Sequence, residues 1–366
     1  MTENTISEEK TTLSTSRVAR LAAELFGSFF LFLSIYGICS YGTVFTFSVI
    51  GSNILTVGLA VGLVYGVLTY LFGKVSGAHL NPAVSFAELL LGRIDFFDFL
   101  AYVILQSAGA IGAAEIITHI LPVTSSSDSS ASSKMDMFTW IHYAINGYGN
   151  ASPSNTLMSQ MKIEFGMKFA VLLEIAMSII VIAVVLKSQN SNGAPKKFAP
   201  LTIGAAYAVG TAVAFPVSGA ALNPARATGM AVAAQSVVSQ YNTTQQASAA
   251  TNGTTFVAIA LPVSQLWVFW VAPVLAAALV ALINLVIKLR NDDTTDVEPV
   301  AAKPKKNRKS SAAAKESTAA EPKGSAAKNS DGAHDGDADD AAEDADGMAS
   351  SGIDYAEDDV TDEQDL

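Results

Sequence analysis

Two eight-residue segments carry the most chemical information in this chain. Ser76-Gly-Ala-His-Leu-Asn-Pro-Ala83 recurs as Ser218-Gly-Ala-Ala-Leu-Asn-Pro-Ala225. Asn is a favoured helix N-cap, and Pro suits the first helical position because its missing N–H costs nothing there. Asn81, Pro82 and Ala83, and again Asn223, Pro224 and Ala225, therefore each start a helix. A helix N-terminus carries about half a positive charge. Two of them facing each other repel a cation or a proton, while the amides of Asn81 and Asn223 can donate to a small polar molecule. A single Asn-Pro is ordinarily a loop turn. Two copies inside the same frame argue for paired helix starts.

Three more residues stand out because charge is costly in apolar surroundings. Arg226 follows Asn223 by three residues, and Glu24 and Glu174 sit inside apolar runs as Ala-Ala-Glu-Leu-Phe and Leu-Leu-Glu-Ile-Ala. As proton-relay groups the two acids would suggest a coupled secondary transporter. His79, within the first motif, reads as a brace for its loop. Cys39 is the single cysteine and the four histidines are scattered, so no disulfide within the chain and no metal site is expected. No nucleophile stands with a base and no phosphate loop is present. An enzyme, a cofactor and a nucleic-acid partner are not expected.

The elements that position these residues follow from apolar runs. A helix needs about 20 apolar residues to cross hydrocarbon. Such runs occur at about 18–40, 50–73, 97–121, 167–187, 199–217 and 265–289. Two shorter ones, about 81–92 and 223–235, begin at the Asn-Pro motifs and reach only about halfway across. In the second span Gly58, Gly62 and Gly66 form a small-residue ridge suited to close helix packing.

The recurrence of motif and upstream glutamate defines two repeats, about 17–121 and 167–290, each with three spans and one short helix. Three is odd, so the halves face opposite ways, and inverted repeats place their sites near the midplane. The expected fold is an all-α membrane protein with six transmembrane helices and two re-entrant half-helices. Residues 1–16 form an N-terminal tail, 17–290 the membrane domain, 122–166 a Ser-rich outer loop and 291–366 an acidic, disordered tail. The tail holds 21 acidic against 8 basic residues, leaving 12 acidic and 14 basic in 1–290. The net charge of -11 thus belongs to the tail. Lys10, Arg17, Arg20, Lys74, Arg93, Lys187, Lys196, Lys197, Lys288 and Arg290 cluster in the segments assigned to one side, which puts both termini in the cytoplasm. The basic run Lys303–Lys309 is a candidate contact for anionic lipid. Asn242-Thr-Thr and Asn252-Gly-Thr match glycosylation sequons on the outer side.

Over about residues 17–290 the sequence resembles the aquaporin, or major intrinsic protein, family. The resemblance rests on both Ser-Gly-Ala-x-Leu-Asn-Pro-Ala segments, Arg226 and Gln265-Leu-Trp-Val-Phe-Trp-Val-Ala-Pro273. It implies a homotetramer in the cell membrane, with one pore per subunit for water or small neutral solutes. It assigns Arg226 to an outer constriction, together with Val61, Thr211 and Ala220, and assigns Glu24 and Glu174 to the support of the two loops. Water-selective members resemble Phe and His where this chain has Val61 and Thr211, so a wider constriction is expected, open to glycerol, urea or hydrogen peroxide. Phe269-Trp270 resembles the water-selective side and leaves a strictly water-selective channel as the alternative.

Overall fold

A computed structural model of the chain describes residues 15–45, 50–124 and 135–295. Residues 1–14, part of the Ser-rich loop and everything from 296, including Lys303–Lys309, lie outside the described residues. Among the described residues ten α-helices follow in order: α1 Arg17–Phe45, α2 Ile50–Ser76, α3 Pro82–Leu90, α4 Phe96–Ile120, α5 Met137–Ile141, α6 Asn155–Gln160, α7 Met167–Lys187, α8 Ala199–Ser218, α9 Pro224–Thr251 and α10 Pro262–Thr295. Six of them (α1, α2, α4, α7, α8 and α10) are long and apolar enough to cross a membrane. Their bounds match the runs read from the sequence to within a few residues at most ends.

Packing repeats itself across the two halves. α1 lies against α4 as α7 lies against α10, and α1 against α2 as α7 against α8. α9 packs on α4 as α3 packs on α10, and α2 pairs with α8 at the centre. The central pair is close because its contact is made of small residues. A Cβ added to Gly58 would lie 2.8 Å from the Ala208 carbonyl oxygen, and one added to Gly66 2.8 Å from that of Pro200. A Cβ on Gly62 would come within 2.6 Å of Ala208 Cβ and closer still to the Gly204 carbonyl oxygen. The glycine ridge is thus an interface at which backbone meets backbone. The outward faces remain apolar: Leu63, Tyr70, Leu172 and Leu201 are exposed on the bundle surface. Side chains of that kind on the outside suit a hydrocarbon solvent.

At the end of the bundle where α1 starts, Asp98 on α4 pairs with Arg17 Nε and Arg20 Nη2, both at 2.6 Å. Asp95 caps α4, accepting from the Asp98 N–H at 2.7 Å. At the opposite end the Ser-rich loop is more ordered than a plain loop. Its residues 135–166 hold α5, α6 and two 3₁₀ turns. Asn150 donates to the Ala258 carbonyl at 2.6 Å and accepts from the Ala260 N–H at 3.2 Å. From the other side Asn242 donates to the Ile259 carbonyl at 2.8 Å and accepts from the Ile259 N–H at 2.9 Å. Two side-chain amides therefore grip one extended segment. The Asn242 sequon lies on a helix and has its amide engaged, whereas Asn252 is the exposed C-cap of α9.

α9 departs from the sequence expectation. The apolar run ends near residue 235, but the helix continues to Thr251. Residues 236–251 are rich in Ala, Ser, Gln and Thr, which tolerate a helix when no Gly or Pro intervenes. The first such break is Gly253, at φ 66°.

Candidate functional site

The site is built from the two loops that precede α3 and α9. Their backbones are copies of each other. Gly77, Ala78 and Leu80 have φ values of 90°, 47° and 48°, and Gly219, Ala220 and Leu222 have 75°, 49° and 51°. For Ala and Leu the left-handed region is unfavourable, by about 1–3 kcal/mol per residue. Such a loop persists only if its surroundings fix it.

The two buried glutamates do that. Glu24 accepts from Ser76 Oγ at 2.6 Å, the His79 N–H at 3.0 Å, the Leu80 N–H at 2.8 Å and Gln106 Nε2 at 2.7 Å. Glu174 accepts from Ser218 Oγ at 2.6 Å and from the Ala221 and Leu222 N–H groups, both at 2.8 Å. Both side chains have no exposed surface. With donors on both oxygens of each carboxylate, neither is open to a cavity as a relay group would be. His79 adds a contact between its Nδ1 and Ser85 Oγ at 3.1 Å, and its ring meets Tyr102 edge-on.

The loops then meet through their asparagines. Asn81 Oδ1 caps α3 by accepting from the Ala83 N–H at 2.9 Å, and Asn223 Oδ1 caps α9 from the Ala225 N–H at 3.0 Å. Capping fixes each amide's orientation, because only the oxygen can accept. Asn81 Nδ2 then donates to the Leu222 carbonyl at 2.9 Å, and Asn223 Nδ2 to the Leu80 carbonyl at 2.7 Å. Each repeat's helix start is thereby tied to the other repeat's loop. The remaining amide hydrogen of Asn81 goes to Tyr207 Oη at 2.9 Å, and that of Asn223 to Tyr65 Oη at 3.0 Å. The sequence reading offers these amides to a passing molecule. Here both are fully engaged.

Arg226 is buried at 2% exposure. Its Nη1 donates to the Gly219 and Ala220 carbonyls at 2.5 and 2.6 Å, and its own carbonyl accepts from Tyr36 Oη at 2.6 Å. Its Nη2 lies 3.9 Å from Cys39 Sγ. Arg226 and Ala220 are thus brought together. Val61 and Thr211 are both buried, on α2 and α8, one residue from Gly62 and Ala212 of the glycine interface. Phe269 packs in a small cluster with Ala221, Ala227 and Val268, and Trp270 Nε1 donates to Thr228 Oγ1 at 2.9 Å. These two aromatics brace α9.

Sequence reasoning missed Tyr65, Tyr207, Tyr36 and Gln106, and did not connect Cys39 with Arg226. For the first pair a signal exists. Each tyrosine stands 16 residues before its asparagine, with the same spacing between repeats as the motifs.

The family model described as Major intrinsic protein matches residues 10–284. Aquaporin Z of Brucella melitensis is 34% identical over 265 residues, covering 72% of this chain and 95% of that protein. Aquaporin Z of Rhodopseudomonas palustris is 31% identical over 281 residues, covering 77% and 97% respectively. The X-ray structure of the aquaglyceroporin from Plasmodium falciparum aligns with TM-score 0.49 and 20% identity, covering 73% of this chain and 95% of that one. The family match spans most of the membrane bundle and both asparagine motifs, and the chain belongs to the major intrinsic protein family, as an integral, multi-pass membrane channel of the aquaporin type.

Proposed function

We propose that this chain is a passive channel that passes water and small uncharged solutes and excludes ions and protons. It works as a homotetramer in the cell membrane, with both termini in the cytoplasm. One observation carries the reading: two capped helix starts, Asn81 and Asn223, abut in the middle of the bundle with their positive ends toward each other. In a low-dielectric interior such dipoles penalise a cation far more than a neutral molecule. Arg226 adds a fixed positive charge near the outer mouth. Val61, Thr211 and Ala220 are small for a constriction beside an arginine, so glycerol, urea and hydrogen peroxide are the candidate solutes beside water.

A strictly water-selective channel is the alternative, and the tyrosines bonded to Asn81 and Asn223 favour it because they occupy the centre of the bundle. A coupled transporter has less support, since Glu24 and Glu174 are enclosed by donors. The test is an osmotic step on proteoliposomes. Vesicles holding the protein should shrink faster than empty ones, with a low activation energy. Permeation that needs a proton or sodium gradient would overturn the proposal.

A further inference from the structure

Tyr65 and Tyr207 stack face to face, with ring centroids 3.3 Å apart and planes 4° from parallel. Both are buried, at 3% and 2% exposure. Their hydroxyls are bonded crosswise, Tyr65 to the second repeat's Asn223 and Tyr207 to the first repeat's Asn81. The close α2–α8 contact explains why the rings meet. Gly62 and Gly204 bring the two backbones together, and Tyr65 and Tyr207 each follow their glycine by three residues. On each helix the tyrosine also lies four residues from the proposed outer constriction, from Val61 on α2 and from Thr211 on α8. Four residues of helix are about 6 Å. Any solute that has passed Arg226 meets the stacked pair one turn deeper.

We propose that Tyr65 and Tyr207 form a second, narrower constriction, and that it sets the size limit of this channel. The proposal rests on the channel reading and, within it, decides for the water-selective alternative against passage of glycerol and urea. Rings in van der Waals contact leave no lumen between them. To pass a water molecule they must part by roughly its diameter, about 2.8 Å, and a three-carbon polyol needs more. Aromatic rings prefer offset or edge-on arrangements to a direct sandwich, so stacking alone does not hold the pair shut. The two hydrogen bonds to Asn81 and Asn223 act as the latch. Parting the rings breaks those bonds and frees one amide hydrogen on each asparagine. The opening movement thus exposes the donors that a passing molecule accepts from. Its extent grows with solute width, so water passes most readily, hydrogen peroxide next, and urea and glycerol least. The small residues at 61, 211 and 220 then do not decide selectivity.

The experiment compares wild type, a Tyr65→Leu/Tyr207→Leu pair and a Tyr65→Phe/Tyr207→Phe pair in liposomes, matched for protein per vesicle. Water is read by osmotic shrinkage, glycerol and urea by reswelling. Wild-type vesicles should pass water but take up glycerol no faster than empty ones. The Leu pair should raise water flow several-fold and admit glycerol. The Phe pair keeps the rings and drops the latch, so water flow should rise while glycerol stays excluded. Glycerol uptake through wild type or through the Phe pair would overturn the proposal, as would a Leu pair that passes water at the wild-type rate and still excludes glycerol. If the Leu pair does not assemble, a Phe pair with unchanged water flow overturns the latch. Vesicles in which neither wild type nor any variant passes water would refute the channel reading itself.

Discussion

Replacing Glu24 by Ala should unseat the first loop. The carboxylate holds four donors, two of them the backbone N–H groups of His79 and Leu80. Ser76 and Gln106 can swing to other acceptors. The two backbone groups are buried and fixed in place by the left-handed residues around them. Each buried donor left unpaired costs about 1–3 kcal/mol. Loss of the charge-assisted character of the other two bonds adds about 1 kcal/mol or more. The expected destabilisation is about 3–7 kcal/mol, a large share of the roughly 5–15 kcal/mol that holds a domain folded. At about 2–4 °C per kcal/mol for a large domain, the melting temperature should fall by roughly 6–28 °C. Glu24→Gln keeps one acceptor oxygen, so its loss should be about half as large. Thermal unfolding in detergent, followed by tryptophan fluorescence, measures both, and water flow in vesicles shows whether Asn81 has moved. An Ala variant that melts within about 2 °C of wild type and conducts as well would refute the claim that Glu24 holds the loop.

The glycine interface predicts that Gly62→Ala costs about 1–3 kcal/mol by overpacking. Gly112→Ala, whose Cβ meets only Phe29 at 3.8 Å, should melt close to wild type, and equal effects would contradict the close approach of α2 and α8. Cys39 is fully buried behind Arg226, so mercurials should leave wild-type water flow unchanged and block an Ala220→Cys variant. Strong wild-type block that disappears in Cys39→Ser would place Cys39 in the lumen. Burial lowers the pKa of His142, in a 3₁₀ turn of the Ser-rich outer loop, to about 4, against about 6.5 in an unfolded chain. Between those values the unfolded state takes up a proton that the folded state does not, so stability falls as pH drops from about 6.5 to 4. A His142→Gln variant should lose less melting temperature over that window, and parallel curves would contradict the assignment.

The six spans were legible because 20-residue apolar runs have few other uses. The paired helix starts were legible because Asn81-Pro82 and Asn223-Pro224 repeat a local capping code that needs no tertiary knowledge. Arg226, Glu24 and Glu174 announced themselves as charges in apolar surroundings, but what they touch did not follow from that. The donor sets of Glu24 and Glu174 depend on the folded path of each loop. The contact of Tyr65 with Tyr207 depends on an interhelical distance that the glycines permit and the sequence alone does not measure. α9 reads as short in the sequence because its apolar run stops near 235, although helix formation there needs only the absence of a breaker before Gly253. Residues 135–166 read as a plain loop in the sequence because their order comes from Asn150 and Asn242 gripping a distant segment, a contact without local pattern.

The central claim is passive passage of water with exclusion of charge, and water flux and proton leak measured on the same vesicles test it most directly. Proteoliposomes loaded with a pH-sensitive dye receive first an osmotic step and then a pH step. Water flux should rise well above that of empty vesicles while proton leak stays at the empty-vesicle rate. Proton leak that rises in proportion to the amount of protein, or water flux equal to that of empty vesicles, would contradict the account.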